Sequence, residues 1–207
     1  MIVGITIFYL QMPSPPEFHG RRLSAWVREL TGFGGEARAN AIEFFRNEGG
    51  NTVPALVELL RRSKPTDSQW KPNYLCNILG IRFQNYLMAR NFERANAITA
   101  CGIIGSEAHP AIPTLLTLKG DKDSLVRLSL ARALGEIQSA PSQSVPVLIE
   151  MLQDSSKYVR HTAAKSLGLY GPVAKVALPA LTNAMSDSDS SVGIVARRTL
   201  EKIKELK

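Results

Sequence analysis

A period of 33 residues runs through most of the chain. Arg94, Arg127 and Arg160 are 33 apart, as are Gly102, Gly135 and Gly168, then Pro113, Pro146 and Pro179, then Asp121, Asp154 and Asp187. Four residue types recur in three consecutive units, a pattern that belongs to stacked repeats rather than to one irregular core.

Each unit reads as two helices. The first carries apolar residues at helical spacing, Val126, Leu130, Leu134 and Ile137 in one unit and Val159, Ala163 and Leu167 in the next. The glycine near its end is expected to weaken that helix and help it stop. Proline is then expected to open the second helix, where its missing N–H costs nothing. "VPVLIEML" and "LPALTNAM" are these second helices, with Leu148, Met151 and Leu152 on one side of the first. The aspartate closes the unit, and "DS" or "SDS" caps the following helix.

An earlier unit occupies 36–60, with Arg38 and Pro54 in the equivalent roles. The stretch "SVGIVARRTLEKIKELK" (191–207) is a half unit with Gly193 where the arginine is expected. Arg197, Arg198, Lys202 and Lys204 give it a polar outer face, so 191–205 reads as a capping helix. One two-helix unit cannot bury its apolar face alone, so neighbours must stack. The expected fold is all-α, a short right-handed α-solenoid of stacked two-helix repeats over 21–207.

"DSLVRLSLARALGEI" (123–137) with "VPVLIEMLQD" (145–154) resembles the HEAT repeat, in the bacterial form shared with phycobilin-lyase-type repeats. The resemblance covers 36–62 and 92–205. It implies that the Asp and Arg six residues apart, Asp121 with Arg127 and Asp154 with Arg160, are structural, the arginine linking adjacent units. Asp187 with Gly193 departs from that pattern. "GRRLSAW" (20–26) also resembles a segment preceding the repeats in some bacterial HEAT proteins, commonly just after a membrane segment.

Residues 1–12, "MIVGITIFYLQM", are apolar but as a helix would reach only about 18 Å of the roughly 30 Å of a bilayer core. They lack a basic leader and a small-residue cleavage site. Three readings stay open: a foreshortened anchor, which the resemblance favours, a β-prone tail, or a packed arm. "PSPPEFHG" (13–20) reads as a linker, being rich in proline with a closing glycine. The compartment stays open between cytoplasm and a membrane-associated position in a bacterium.

Between the early unit and the regular ones, residues 63–91 do not fit the period. They hold Trp70, Tyr74, Phe83 and Tyr86, and Lys64, Lys71, Arg82 and Arg90 against Asp67 alone. Arg61 and Arg62 precede them directly. Basic residues among aromatics make stacking and phosphate-binding surfaces or protein hot spots. The plainer reading is that Leu75, Ile78, Leu79 and Leu87 mark one or two helices whose aromatics fill a local core. Trp70 and Tyr74 stand out because "SKPTDSQWKP" is polar and bracketed by proline. The candidate partner-binding residues are therefore Arg61, Arg62, Lys64, Trp70, Lys71 and Tyr74.

Other constellations are bland. The net charge is +7, but it is spread almost evenly over the two halves. Cys76 and Cys101 form no C-x-x-C pair, and His19, His109 and His161 have no ligand at metal spacing, so no cofactor is implied. No phosphate-binding, dinucleotide or hydrolase motif is present. In "YVRHTAAKSLGLYG" (158–171), His161 and Lys165 fall on the outer side of a first helix, a solvated face rather than an acid–base pair.

The expected function is a monomeric, non-enzymatic scaffold that binds another protein through its concave surface and the 63–91 insertion. Two alternatives are grip on a nucleic-acid backbone by the basic surface and, from the repeat subtype alone, a bilin-lyase-like accessory role. Acidic residues interspersed in the repeats weigh against the first.

Overall fold

The structure, a computed structural model, describes residues 17–30, 35–63 and 83–205. Residues 1–12, the first half of the expected linker, and Lys64, Trp70, Lys71, Tyr74 and Cys76 lie outside the described residues.

The chain enters through a hairpin, β1 (Glu17–Phe18) paired antiparallel with β2 (Arg21–Arg22). His19 and Gly20, both at positive φ (52° and 70°), make the two-residue turn whose twist suits a hairpin. Residues 17–20 of the stretch read as linker therefore belong to this hairpin. Three helices follow, α1 (Leu23–Glu29), α2 (Glu36–Glu48) and α3 (Val53–Arg62). A 3-10 turn at Gly49–Thr52 joins the last two, and Pro54 sits in the first turn of α3.

The regular array then alternates long first helices with shorter second ones. The first helices are α4 (Phe83–Ile104), α6 (Ser124–Ile137), α8 (Lys157–Tyr170) and α10 (Ser190–Glu205). The second helices are α5 (Ile112–Leu116), α7 (Pro141–Met151) and α9 (Leu178–Ala184). Residues 83–91, read above as part of the insertion, are instead the opening turns of α4. Each first helix packs on the next, and α1, α2 and α3 all pack against α4. One continuous core follows, with Leu56, Ile98, Leu130, Leu148, Leu167 and Ile203 fully buried. All-α stacking of two-helix repeats is therefore the fold, as the period requires.

Two local expectations fail. The repeated glycines do not end their helices, since α4, α6 and α8 each run two residues past Gly102, Gly135 and Gly168. They are contact points between layers. A Cβ on Gly135 would lie 3.0 Å from the Cα of Ser166 and 2.7 Å from its Cβ, and one on Gly102 would lie 3.2 Å from the Cα of Ala133. One on Gly168 would lie 3.2 Å from Thr199 Oγ1. The chain leaves these helices three residues later, where Gly105, Gln138 and Gly171 all take positive φ (74°, 52° and 56°).

The repeated prolines also differ in role. Pro113 and Pro179 sit in the first turn of α5 and α9, but Pro146 lies inside α7, which Pro141 opens. In the first and third regular units a 3-10 segment, Gly105–Ala111 or Gly171–Ala177, precedes the second helix. In the middle unit Gln138 and Ala140 both turn left-handed, so the chain reverses sooner and α7 starts earlier.

Candidate functional site

The repeated arginine and aspartate form one ladder along the stack. Arg127 on α6 reaches into the next unit, its Nε 2.6 Å from Asp154 Oδ2 and its Nη2 2.8 Å from Oδ1. Its Nη1 donates backwards to the carbonyl of Asp121 at 2.7 Å. Arg160 repeats the arrangement on Asp187, at 2.7 Å from each carboxylate oxygen, and donates to the carbonyl of Asp154 at 3.0 Å. Each aspartate also accepts the amide two residues on: Asp123 for Asp121, Ser156 for Asp154 and Asp189 for Asp187. The side chain thus ties its own turn and the preceding unit together, a two-pronged geometry that suits guanidinium and carboxylate.

The electrostatics agree with the geometry. The hydrogen bond to Asp154 raises the Arg127 pKa above its ordinary value, and that to Asp187 does the same for Arg160. Burial pushes the Asp154 carboxyl up, but the bonds from Arg127 and the Ser156 amide outweigh it and hold it below the usual carboxylate range. Arg160 is the main cause holding Asp187 low.

The first rung ties the early unit to the array. Arg94 on α4 lies 3.4 Å from Asp121 and donates from Nη1 to the carbonyl of Ser63 at 3.1 Å, with both charged side chains almost fully buried. Ser63, the residue that follows α3, therefore takes the backbone place that Asp121 and Asp154 hold for Arg127 and Arg160. The early unit thus joins the array through Ser63. Asn96 on α4 adds a second tie, donating to the Val27 carbonyl of α1 at 3.0 Å. Arg38, expected to match Arg94, is exposed on α2. The residue 27 positions after it, where a matching aspartate would fall, lies outside the described residues.

Of the six candidate contact residues, Arg61 and Arg62 are described. Both are exposed on the last turn of α3, and Arg62 donates to Glu58 one turn earlier at 2.6 Å. Cations at a helix C-terminus suit its dipole. They directly precede Ser63, and Lys64, Trp70, Lys71 and Tyr74 lie outside the described residues.

A concavity that the sequence reading missed lies between the hairpin turn, α1 and α2. His19, Trp26, Asn40, Glu43, Phe44, Asn47 and Glu48 line an open cleft of about 400 Å³. Trp26 stacks on Phe44 with ring centres 4.3 Å apart and planes within 6°. Arg21 covers the indole at 4.3 Å, Trp26 Nε1 donates to the Phe18 carbonyl, and His19 meets Glu48 at 2.7 Å. Two carboxylates and two carboxamides over an aromatic floor can hold a cationic or hydrogen-bonding side chain. The signal was present in "FHGRRLSAW" against "NAIEFF", but pairing them needs the hairpin, whose two-residue strands carry no alternation to detect.

His161 and Lys165 sit as expected on the outer side of α8, half-buried and exposed. Tyr170 is buried and donates to the Leu134 carbonyl at 2.7 Å, tying α8 to α6. Among the described residues no group of histidine, cysteine and carboxylates is placed to hold a metal ion, and no helix is long and apolar enough to cross a membrane.

Comparison with known proteins returns no match among the curated proteins. Several solved structures are similar. An engineered protein is 23% identical, with 88% of this chain and 96% of that one covered at a TM-score of 0.43. A second engineered protein is 21% identical over 90% of this chain and 48% of its own, at 0.47. A designed armadillo repeat protein is 16% identical over 88% of this chain and 100% of its own, at 0.43. The family model for HEAT repeats matches residues 91–155 and 112–201, more than half of the sequence. Those residues hold the whole Arg–Asp ladder and the three interlayer glycines, and on that match the chain belongs to the HEAT-repeat family.

Proposed function

We propose that the protein is a non-enzymatic scaffold that holds another protein against its second helices and the inserted segment after Ser63. Arg61, Arg62, Lys64, Trp70, Lys71 and Tyr74 are the contact residues in this reading. The observation that carries it is the exposure of Arg61 and Arg62 on the last turn of α3, directly before the inserted segment. Insertions in repeat stacks tend to gather on one face, often the binding face. Its composition, aromatic and cationic beside two exposed arginines, is that of interface anchors.

The test is affinity capture with the full chain and with the double variant Trp70→Ala, Arg62→Ala, the bound proteins being identified by mass spectrometry. Loss of a specific partner from the variant is expected. An unchanged partner set refutes the contact region. Capture that depends on nucleic acid, abolished by nuclease, refutes the protein-scaffold reading in favour of backbone binding.

A further inference from the structure

α6, α8 and α10 present one outer stripe each, at positions i, i+3, i+7 and i+11, which fall within about 80° of arc on a helix. The 33-residue period aligns these stripes into rows across the stack. Arg132 on α6, Lys165 on α8 and Arg198 on α10 form one row, and all three are exposed. None is in a salt bridge with a described carboxylate. At the usual helix separation the row advances about 8–10 Å per unit. The described acids near the row are Glu136, which both Arg132 and Lys165 influence and whose carboxylate reaches toward Gly102 of α4, and Glu201 and Glu205 toward the end of α10.

Beside that row the stripes are apolar where a solvated face would be polar. Tyr158 is 66% exposed, Ile194 54% and Leu169 41%. They come from α8 and α10, so the apolar character belongs to the face and not to one helix. Unpaired cations alternating with exposed aromatic and aliphatic side chains are the composition of surfaces that lie at a bilayer interface. There the charges meet anionic headgroups and the apolar groups enter the headgroup–acyl boundary.

We infer that the outer face of the first helices docks on an anionic lipid bilayer, with Arg132, Lys165 and Arg198 on the headgroups and Tyr158, Ile194 and Leu169 at the boundary. The interlayer glycines favour this occupant over a partner helix. Gly135 and Gly102 bring adjacent first helices to backbone contact, which leaves little groove between them for a helix to enter. A phosphate backbone would gain nothing from Ile194 and Leu169, and the cations form one short row rather than a track. The docking face is independent of the contact region proposed above, which lies on α3 and the segment after it.

The test is co-sedimentation of the full chain with phosphatidylcholine vesicles, with and without 30% phosphatidylserine. Neutral vesicles report what the apolar residues 1–12 contribute, and the ratio between the two isolates the charged face. The account expects stronger binding to the anionic vesicles. With each cation near such a surface supplying about a fivefold gain, Arg132→Gln, Lys165→Gln and Arg198→Gln together lower binding by about 100-fold. The matched triple Arg28→Gln, Arg38→Gln, Arg46→Gln, exposed on α1 and α2, keeps most of it. Tyr158→Ala with Ile194→Ala weakens the binding that survives added salt. Equal losses in the two charge triples, or equal binding to both vesicles, overturns the proposal. So does tight, salt-sensitive binding of a short DNA duplex that the row triple abolishes, which would make the face a nucleic-acid surface.

Discussion

Arg127 and Asp154, 27 residues apart, meet through two hydrogen bonds of 2.6 and 2.8 Å while the same guanidinium holds the Asp121 carbonyl at 2.7 Å. One side chain therefore fastens the turn behind it and the unit ahead. Removing it leaves a mostly buried carboxylate beside an unfilled carbonyl, so Arg127→Ala is expected to cost about 2–4 kcal/mol. Asp154→Asn keeps the bond from the Ser156 amide and should cost less. Chemical denaturation of both variants and of the double variant checks this. Additive losses would show that the pair is not coupled.

The same pair sets an acid limit. The folded-state pKa values of Asp154 and Asp187 lie below ordinary values. Their stabilisation is complete above the unfolded carboxylate pKa near 4 and is lost as pH falls through the lower folded values. Thermal melts should change little from pH 8 to about 5 on this account and fall below about 4, less steeply for Asp154→Asn. Equal slopes in variant and wild type would remove the ladder from the acid response.

Gly135→Ala is expected to destabilise even though alanine is the better helix former by about 1 kcal/mol. The new methyl would lie 2.6 Å from Ser166 Oγ and 2.7 Å from its Cβ, a clash whose relief costs about 1–3 kcal/mol. Ser166→Gly in the same chain should recover part of the loss. Gly120→Ala, where nothing lies within 4 Å, is the neutral control. A gain in stability at position 135 would contradict the close approach of α6 and α8.

Leu167→Ala removes a fully buried side chain from the centre of α8 and should cost about 2–5 kcal/mol. A cost below about 0.5 kcal/mol, within the range of surface substitutions, would place Leu167 outside the inter-helix core.

Cys101 is fully buried on α4, and burial pushes its thiol pKa up to about 12. It should resist alkylation at pH 8 until the stack unfolds. Peptide mapping after iodoacetamide treatment, with and without denaturant, reads this directly. Prompt labelling in the folded protein would contradict the burial.

The architecture was legible because its determinants repeat. Arg94, Arg127 and Arg160 and the three aspartates share a period, and a period needs no knowledge of the third dimension. The roles of the glycines were not legible in the same way. Gly135 is required by the distance to Ser166, and interlayer distance leaves no local trace in sequence. Pro146 misled because a proline inside a helix and one opening it look alike until the left-handed Gln138 and Ala140 upstream are known. The Gly105, Gln138 and Gly171 series did carry the helix-end signal, hidden by the glutamine at its centre, whose side-chain amide reaches the Leu169 carbonyl at 3.2 Å. At the candidate surface Arg61 and Arg62 were readable as exposed cations. The cleft around Trp26 and Phe44 was not, since its walls come from a short hairpin and from α2.

The central claim is that the segment after Ser63 serves binding and not the integrity of the stack. Arg94 reaches Ser63, and the start of α4 lies 11 residues before Arg94, about 16 Å along the helix, so roughly ten residues of Gly/Ser linker can replace 64–82. The decisive measurement is the thermal melt of that replacement, with partner capture in parallel. The account predicts a cooperative melt within about 4 °C of wild type, the shift of about 1 kcal/mol or less, and loss of the captured partner. A collapse of the melt would show that the segment fills the core, and a retained partner would show that the contact lies elsewhere.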